Sequence, residues 1–564
     1  MKSSMYVIKW IAIIMLVLLG FEISIWGFQV ENVWKVCKLI GIDSFNATVT
    51  VKYQVYGADL GIMIDAATKT YFVFGDTFGQ GRPSIWYGPK GTLWRSNVLA
   101  ISTNKDFWNG AKIDCFISQP SKSRYKTMNK GSSLMLTAGP YMDQWILVNE
   151  SPKYLINAPG DNWCQEVHII KNNAEQNTFG GLVVWRNKEN WLLWGQLPGK
   201  RMEGSGVVNN TFTGTFVSIS KIYDYLKLEK NGYIYNFYYS SDGKSWILAG
   251  SYTDFTKALD GKIKVGLLEK NWGHNSFTMV YTEYRLNNST ISFDDPKWEF
   301  VDPVRRYAKE VLRSSHGRNG EITVIPTGGI YDPANKSIYL FYMSIKNWGA
   351  PGHWDVNYSG LAVSKDNEKN WEKLKDVTWP GTSNFAQISI CRANESPKYH
   401  NSSDVYLFGI PGGRFGGVKL MKTTITHLQD PHTYLYYYGI DENGVPRWGT
   451  NIKKAVQIIE PPVGENSVMY DKYLGLWIIT YLNEYTHNIE IRSAKEPWGP
   501  WSSAQTLVSA SNFPALYGPF MNPKYILDNG RIIYFTMSQW GPYSVFLMGA
   551  EFKKVQKDNG FKGK

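Results

Sequence analysis

The stretch Gly57-Ala58-Asp59-Leu60-Gly61, with the aromatic run Tyr71-Phe72-Val73-Phe74-Gly75-Asp76-Thr77-Phe78 that follows it, decides the fold. It reads as two short apolar strands around a turn at residues 66–69, a hairpin whose second strand is aromatic. That aromatic strand returns as Tyr339-Leu340-Phe341-Tyr342, Val405-Tyr406-Leu407-Phe408, Leu476-Trp477-Ile478-Ile479 and Ile532-Ile533-Tyr534-Phe535. Each of the five is preceded by another strand-like run, as at 61–65, 323–331 and 467–470. Each is followed by a third, at 97–102, 360–364, 417–422, 489–493 and 544–550. Three or four short strands repeated radially are the mark of propeller blades, and five copies predict five blades.

Composition agrees with that reading. Aromatic residues make up 15% of the 564, charged residues only 19%, and glycine is frequent at 52, a balance that suits strands and tight turns and excludes a helical bundle. The repeat is broken once: the first and second aromatic strands lie about 270 residues apart, the others about 55 to 70. The interval carries its own strand pattern at 179–186, 191–197, 216–220, 233–240, 246–250, 262–269 and 277–286. With no crossover helix, it predicts a β-sandwich inserted near the first blade junction, where an exposed loop tolerates an insertion. The expected organisation is all-β: residues 1–28 a signal peptide or anchor, 40–160 and 300–553 the propeller, 161–290 the sandwich, and 554–564 a basic tail.

Lys2 and Lys9 precede an apolar run from Ile11 to Phe21 that Glu22 ends, short of the roughly 20 residues a stable span needs. The expectation is export, with the protein secreted or held at the membrane by an uncleaved N-terminal segment. The net charge of +12 is scattered, dense only at the tail, which excludes a concentrated nucleic-acid-binding face. Cys37, Cys115, Cys164 and Cys391 show no CxxC spacing, so no metal cluster and no cofactor is expected, a structural Ca²⁺ being left open.

The hairpin also carries the candidate chemistry. Asp59 lies before its first strand and Asp76 after its second, almost symmetrical about the turn, so the two stand nearly opposite at the hairpin's open end. Directly opposed residues have Cβ atoms ~5 Å apart and diagonal ones ~7–8 Å. Two such carboxyls cannot both ionise freely, so one becomes a general acid and the other a base or nucleophile, as glycoside hydrolysis requires. Other blades bring polar groups to the same rim. Glu321, Gln387, Glu465 and Tyr517 come before first strands, and Trp348, Arg414, Asn483, Glu484, Gln539 and Trp540 after second ones. His353 and Asp355 reach in from the loop beyond Trp348. Tryptophan platforms edged by amides and acids suit a sugar. The predicted substrate-binding set is Trp348, His353, Asp355, Gln387, Arg414, Glu465, Asn483, Tyr517, Gln539 and Trp540, with no metal ligand.

The segment from Asn231-Gly232-Tyr233 to Ser245-Trp246 resembles the concanavalin-like sandwiches attached to glycoside hydrolases, in which Trp185, Trp191 and Trp194 would be sugar platforms if exposed and core if not. The propeller resembles the five-bladed endo-D-arabinanases of glycoside hydrolase family 183. The resemblance is carried by Ala58-Asp59-Leu60-Gly61 with Phe74-Gly75-Asp76-Thr77-Phe78 and by Val324-Ile325-Pro326-Thr327-Gly328-Gly329. It continues in Gly413-Arg414-Phe415-Gly416-Gly417, Tyr517-Gly518-Pro519-Phe520 and Met537-Ser538-Gln539-Trp540-Gly541. It implies endo-hydrolysis of arabinofuranosyl bonds in an arabinan-type polysaccharide with inversion, by two aspartates that match Asp59 and Asp76. Inversion wants carboxyls ~6.5–9.5 Å apart, which a diagonal placement suits better than a direct one. The competing reading is a cell-surface lectin or adhesin that binds glycan without cleaving it. In either case the expected partner is a polysaccharide, engaged by a monomer.

Overall fold

The computed structural model describes residues 27–555 apart from 80–87, 92, 147, 173–176, 200, 219–220, 274, 303–304 and 367. Residues 1–26, within the segment expected to be a signal peptide or anchor, and 556–564 of the expected tail lie outside the described residues. Five antiparallel sheets form the main body, and in each the innermost strand is the first of its repeat. Blade one comprises Gly57–Ala66, Lys69–Phe78, Val98–Ser102 and Cys115–Phe116. Blade two comprises Thr323–Asp332, Ser337–Trp348, Trp354–Ser364 and Glu372–Pro380. Blade three starts with Gln387–Arg392, Asp404–Ile410 and Gly416–Thr424, blade four with Asn466–Asp471, Leu476–Asn483 and Asn488–Ala494, and blade five with Leu516–Leu527, Ile532–Gln539 and Ser544–Lys554. The innermost strands touch in order around a ring, with blade five's meeting blade one's. The recurring aromatic run is the second strand of every blade. Alternate residues of it face the two neighbouring blades, so it is buried on both sides: Tyr71, Tyr339, Tyr406, Trp477 and Tyr534 are all at most 3% exposed. That double burial is why the run lacks polar alternation.

The ring is closed by a strand absent from the five-copy pattern. Phe28–Lys38 is the outer strand of blade five, paired antiparallel with Ser544–Lys554 from Phe28↔Lys554 to Lys38↔Phe546. The two ends of the propeller are thus hydrogen-bonded to each other, and Lys554, expected to open the tail, ends a strand instead. Ala47–Lys52, the one α-helix among the described residues, leads from this strand into blade one. None of the described helices is long and apolar enough to cross a membrane.

Between blades one and two, two further antiparallel sheets bury one core. One orders Thr211–Ser218, Arg201–Val208, Asn190–Leu197, Thr178–Asn187, Lys264–Asn271, Lys153–Asn157 and Glu299–Val301. The other orders Ile247–Thr253, Ile234–Ser240, Tyr225–Asn231, Trp163–Asn172, Phe277–Leu286, Ser133–Ala138 and Arg124–Met128, with Ser289–Thr290 added beside Phe277–Leu286. Leu134 and Leu226 of one sheet and Leu182 and Trp194 of the other belong to the shared core. The sheets take strands from both sides of 161–290, where short strands such as Lys153–Asn157 had no repeat to reveal them. Trp191 and Trp194 are fully buried, while Trp185 is half-buried beneath the Lys153 ammonium, 4.4 Å from its ring. Ser118–Ser121 and Arg305–Ala308 pair with each other where the chain leaves the propeller and returns. All four cysteines are free thiols.

Candidate active site

The hairpin of blade one departs from regular pairing where the acids lie. Ala58 is opposite Thr77 and Leu60 opposite Phe74, so Asp59 alone faces both Gly75 and Asp76 across a β-bulge. A bulge re-aims a side chain. Here the single residue Asp59 shares its place in the ladder with Gly75 and Asp76, which brings the two acids to the same end of the hairpin. Gly75 makes room for this: a Cβ there would lie 2.4 Å from Asp59 Oδ1 and 3.0 Å from Leu60 Cδ1. A second irregularity follows at once, with Leu60 at φ +67° and Gly61 at +79°, and the Leu60 N–H is bound 2.8 Å from Ser538 Oγ. A left-handed leucine is strained, and such strain gathers at functional sites.

Asp59 is half-buried with Oδ1 wholly enclosed, and its Oδ2 accepts from the Tyr517 hydroxyl at 2.9 Å. Burial, then the charge of Asp76, push its pKa up to about 8 against the pull of the Tyr517 and Tyr543 hydroxyls. Asp76 is 8% exposed. Burial raises it too, to about 6, held there by hydrogen bonds from Thr323 Oγ1 at 2.6 Å and Trp94 Nε1 at 2.8 Å, both to Oδ1. At neutral pH the pair therefore offers one protonated and one mainly ionised carboxyl, the division of labour needed for acid–base or acid–nucleophile chemistry.

Both acids line a cavity of about 930 Å³ at the propeller axis. Of the residues expected at this rim, Trp348, His353, Gln387, Arg414, Glu465, Tyr517 and Trp540 line it as well, joined by Glu484, His487 and Trp354. Arg414 is its hub. The guanidinium donates to Glu465 Oε1 from Nε (3.1 Å) and Nη2 (2.9 Å), lies 3.8 Å from Glu484, and sits over the rings of Tyr517 (4.9 Å) and Trp354 (5.5 Å). Trp348 and Trp540 are 45% and 52% exposed, with Gly88 packed against the Trp540 ring. Gln387 spends its amide N–H groups on the carbonyls of Pro411 and Gly413.

Three expected residues stand outside the lining. Asp355 is exposed opposite Asn347 on the blade-two hairpin. Asn483 accepts the N–H groups of Tyr485 and Thr486 in its own turn, and Gln539 is buried, donating to the Pro514 carbonyl. Glu321, at the mouth of blade two, accepts from Ser344 and from the Ser315 N–H. The sequence reading missed Trp94, Thr323 and Tyr543, the direct neighbours of the acids. Trp94 lies in an irregular excursion with no period to mark it. Thr323 opens the strand of blade two, two positions past Glu321, the rim residue that the hairpin argument picked out.

The fold and site together define a five-bladed propeller with a paired-carboxylate cavity on its axis. The chain belongs to the family described as a domain of unknown function, DUF4185, whose pattern it matches over residues 43–241 and 255–549. It is 30% identical over 226 residues to notoamide biosynthesis cluster protein J of Aspergillus sp. (strain MF297-2). That match covers 39% of this chain and 56% of the fungal protein, so the chain spans about half the length of that relative. Among solved structures it is similar to a putative hydrolase from Bacteroides ovatus (10% identity, 68% of this chain and 93% of that one, TM-score 0.30). It is also similar to the Hadza microbial sialidase Hz136 (10% identity, 88% and 66%, TM-score 0.31). Superpositions this loose carry no chemistry.

Proposed function

We propose that the protein is a glycoside hydrolase in which Asp59 is the general acid and Asp76 the base. The observation that carries this is the bulged pair itself: two carboxyls from one hairpin line an open cavity, burial raising one to about 8 and the other to about 6. Asp59 donates its proton to the glycosidic oxygen as the bond breaks. Asp76 takes a proton from the water that attacks the anomeric carbon, so inversion is the expected outcome. The half-exposed rings of Trp348 and Trp540 are the platforms on which sugar rings stack.

For substrate we propose an arabinan-type polysaccharide cut at internal arabinofuranosyl linkages, on the strength of the motifs around Asp59, Asp76, Arg414 and Tyr517. The wider reading is of an exported monomer whose inserted unit is a concanavalin-like sandwich. Incubation with a panel of polysaccharides followed by product sizing tests it, with ¹H NMR of the first-formed anomer reporting the stereochemistry. Oligosaccharide ladders from D-arabinan that vanish in Asp59→Asn and Asp76→Asn are the expected result. Binding without release from any glycan would make the protein a lectin, and full activity in both variants would remove these residues from the chemistry.

A further inference from the structure

Resting on the reading of Asp76 as the base, we propose that Trp94 and Thr323 are its positioning residues, binding one carboxylate oxygen, Oδ1, so that Oδ2 is the oxygen left for the reaction. Both donors converge on Oδ1, and among the described residues no donor reaches Oδ2. An oxygen that already accepts two hydrogen bonds is the poorer proton acceptor, so the transferred proton goes to its partner. The same two bonds oppose the burial that raises Asp76, which separates it from Asp59.

The placement is built by pairing and not by loop wandering. Beyond Val98 the chain keeps its register with the second strand of blade one, through the bridge between Thr77 and Arg95, so Trp94 falls diagonally across from Asp76. Its ring lies parallel to Phe78 (centroids 6.4 Å apart, 9° between planes), which fixes the direction of the indole N–H. Thr323 reaches over from the innermost strand of the next blade. Its bond is not what closes that junction. The Asn97 side chain already does so, donating to the carbonyls of Leu312 and Val324 and accepting from the N–H groups of Val311 and Leu312.

Behind Trp94, the His316 ring meets the indole edge-on at 4.9 Å, and its Nε2 pairs with Glu310 Oε2 at 3.1 Å. The charged and titratable groups around Asp76 are therefore Asp59, Tyr543, Glu310 and His316, with Glu321 acting on His316. Glu310 raises Asp76 and His316 lowers it, both by less than either of the two direct bonds.

The test uses the full-length protein on D-arabinan, with kcat and KM measured across pH for Thr323→Val, Trp94→Phe and Thr323→Ser. A hydrogen bond to a charged group lost from a buried site predicts a fall in kcat of about tenfold or more for each of the first two. It also predicts an unchanged KM, an acid limb displaced to higher pH, and recovery of both in Thr323→Ser. An acid limb and kcat like those of the wild type in Thr323→Val and Trp94→Phe, with Asp76→Asn inactive, would overturn the positioning role alone. An active Asp76→Asn would instead overturn the assignment of the base. Should Trp94→Phe not fold, Thr323→Val decides, since it exchanges the hydroxyl for a methyl of similar shape, and Thr323→Ser, which keeps the hydroxyl and drops the methyl, is the control.

Discussion

Replacing Gly75 with alanine should cripple the site while leaving the propeller folded. Gly75 lies outside the left-handed region, so alanine meets no backbone penalty there and only the new Cβ matters. That Cβ would stand 2.4 Å from Asp59 Oδ1, where 3.4 Å is the near edge of ordinary contact. Something must retreat by about 1 Å. Leu60 cannot readily yield, being held by the Ser538 hydroxyl and by its own left-handed turn. The carboxyl of Asp59 moves instead and stretches its 2.9 Å bond from Tyr517. A 1 Å misplacement of a catalytic group costs about 10²-fold in rate, and overpacking by one methyl costs about 1–3 kcal/mol of stability. The assay is kcat/KM on D-arabinan beside a urea unfolding curve. A folded Gly75→Ala protein with the wild-type kcat/KM would refute the claim that the bulge holds Asp59 in place.

Four further outcomes follow from the same geometry. The kcat/KM profile should be bell-shaped with limbs near pH 6 and 8, falling below as Asp76 takes up a proton and above as Asp59 loses one; a single limb would contradict it. Because folding raises Asp59 from 3.8 to about 8, the folded state binds the extra proton, and this side chain destabilises increasingly as pH rises through that window. Asp59→Asn should therefore gain more melting temperature at pH 8 than at pH 4, as scanning calorimetry would show. Arg414→Met should cost about 3 kcal/mol in urea unfolding by stranding Glu465, with much of the loss returned by adding Glu465→Gln. A chain begun at residue 40 should aggregate, since it bares the edge of Ser544–Lys554, visible by light scattering against the chain begun at residue 27.

The five blades were legible because the second strand of each is buried on both faces and so spells an aromatic run, and the two acids because a hairpin is symmetrical about its turn. The closing strand was not, since Phe28–Lys38 pairs with residues some 500 positions away and carries no copy of the aromatic run. The bulge was equally silent: Gly75 reads as one more turn glycine, and only the opposed Asp59 oxygen explains it. Asp355 and Asn483 were misplaced for a shared reason. Both sit where a rim residue should, but an exposed hairpin and a self-capped turn absorb them.

The pairing of Ser118–Ser121 with Arg305–Ala308 means that the route from blade one to blade two is equally short with the 124–301 unit present or absent. A genetic event could add or remove that whole unit at one joint without altering the distance the propeller must span. Relatives that differ by nearly two hundred residues in length could then share every blade, and their lengths would say little about their kinship.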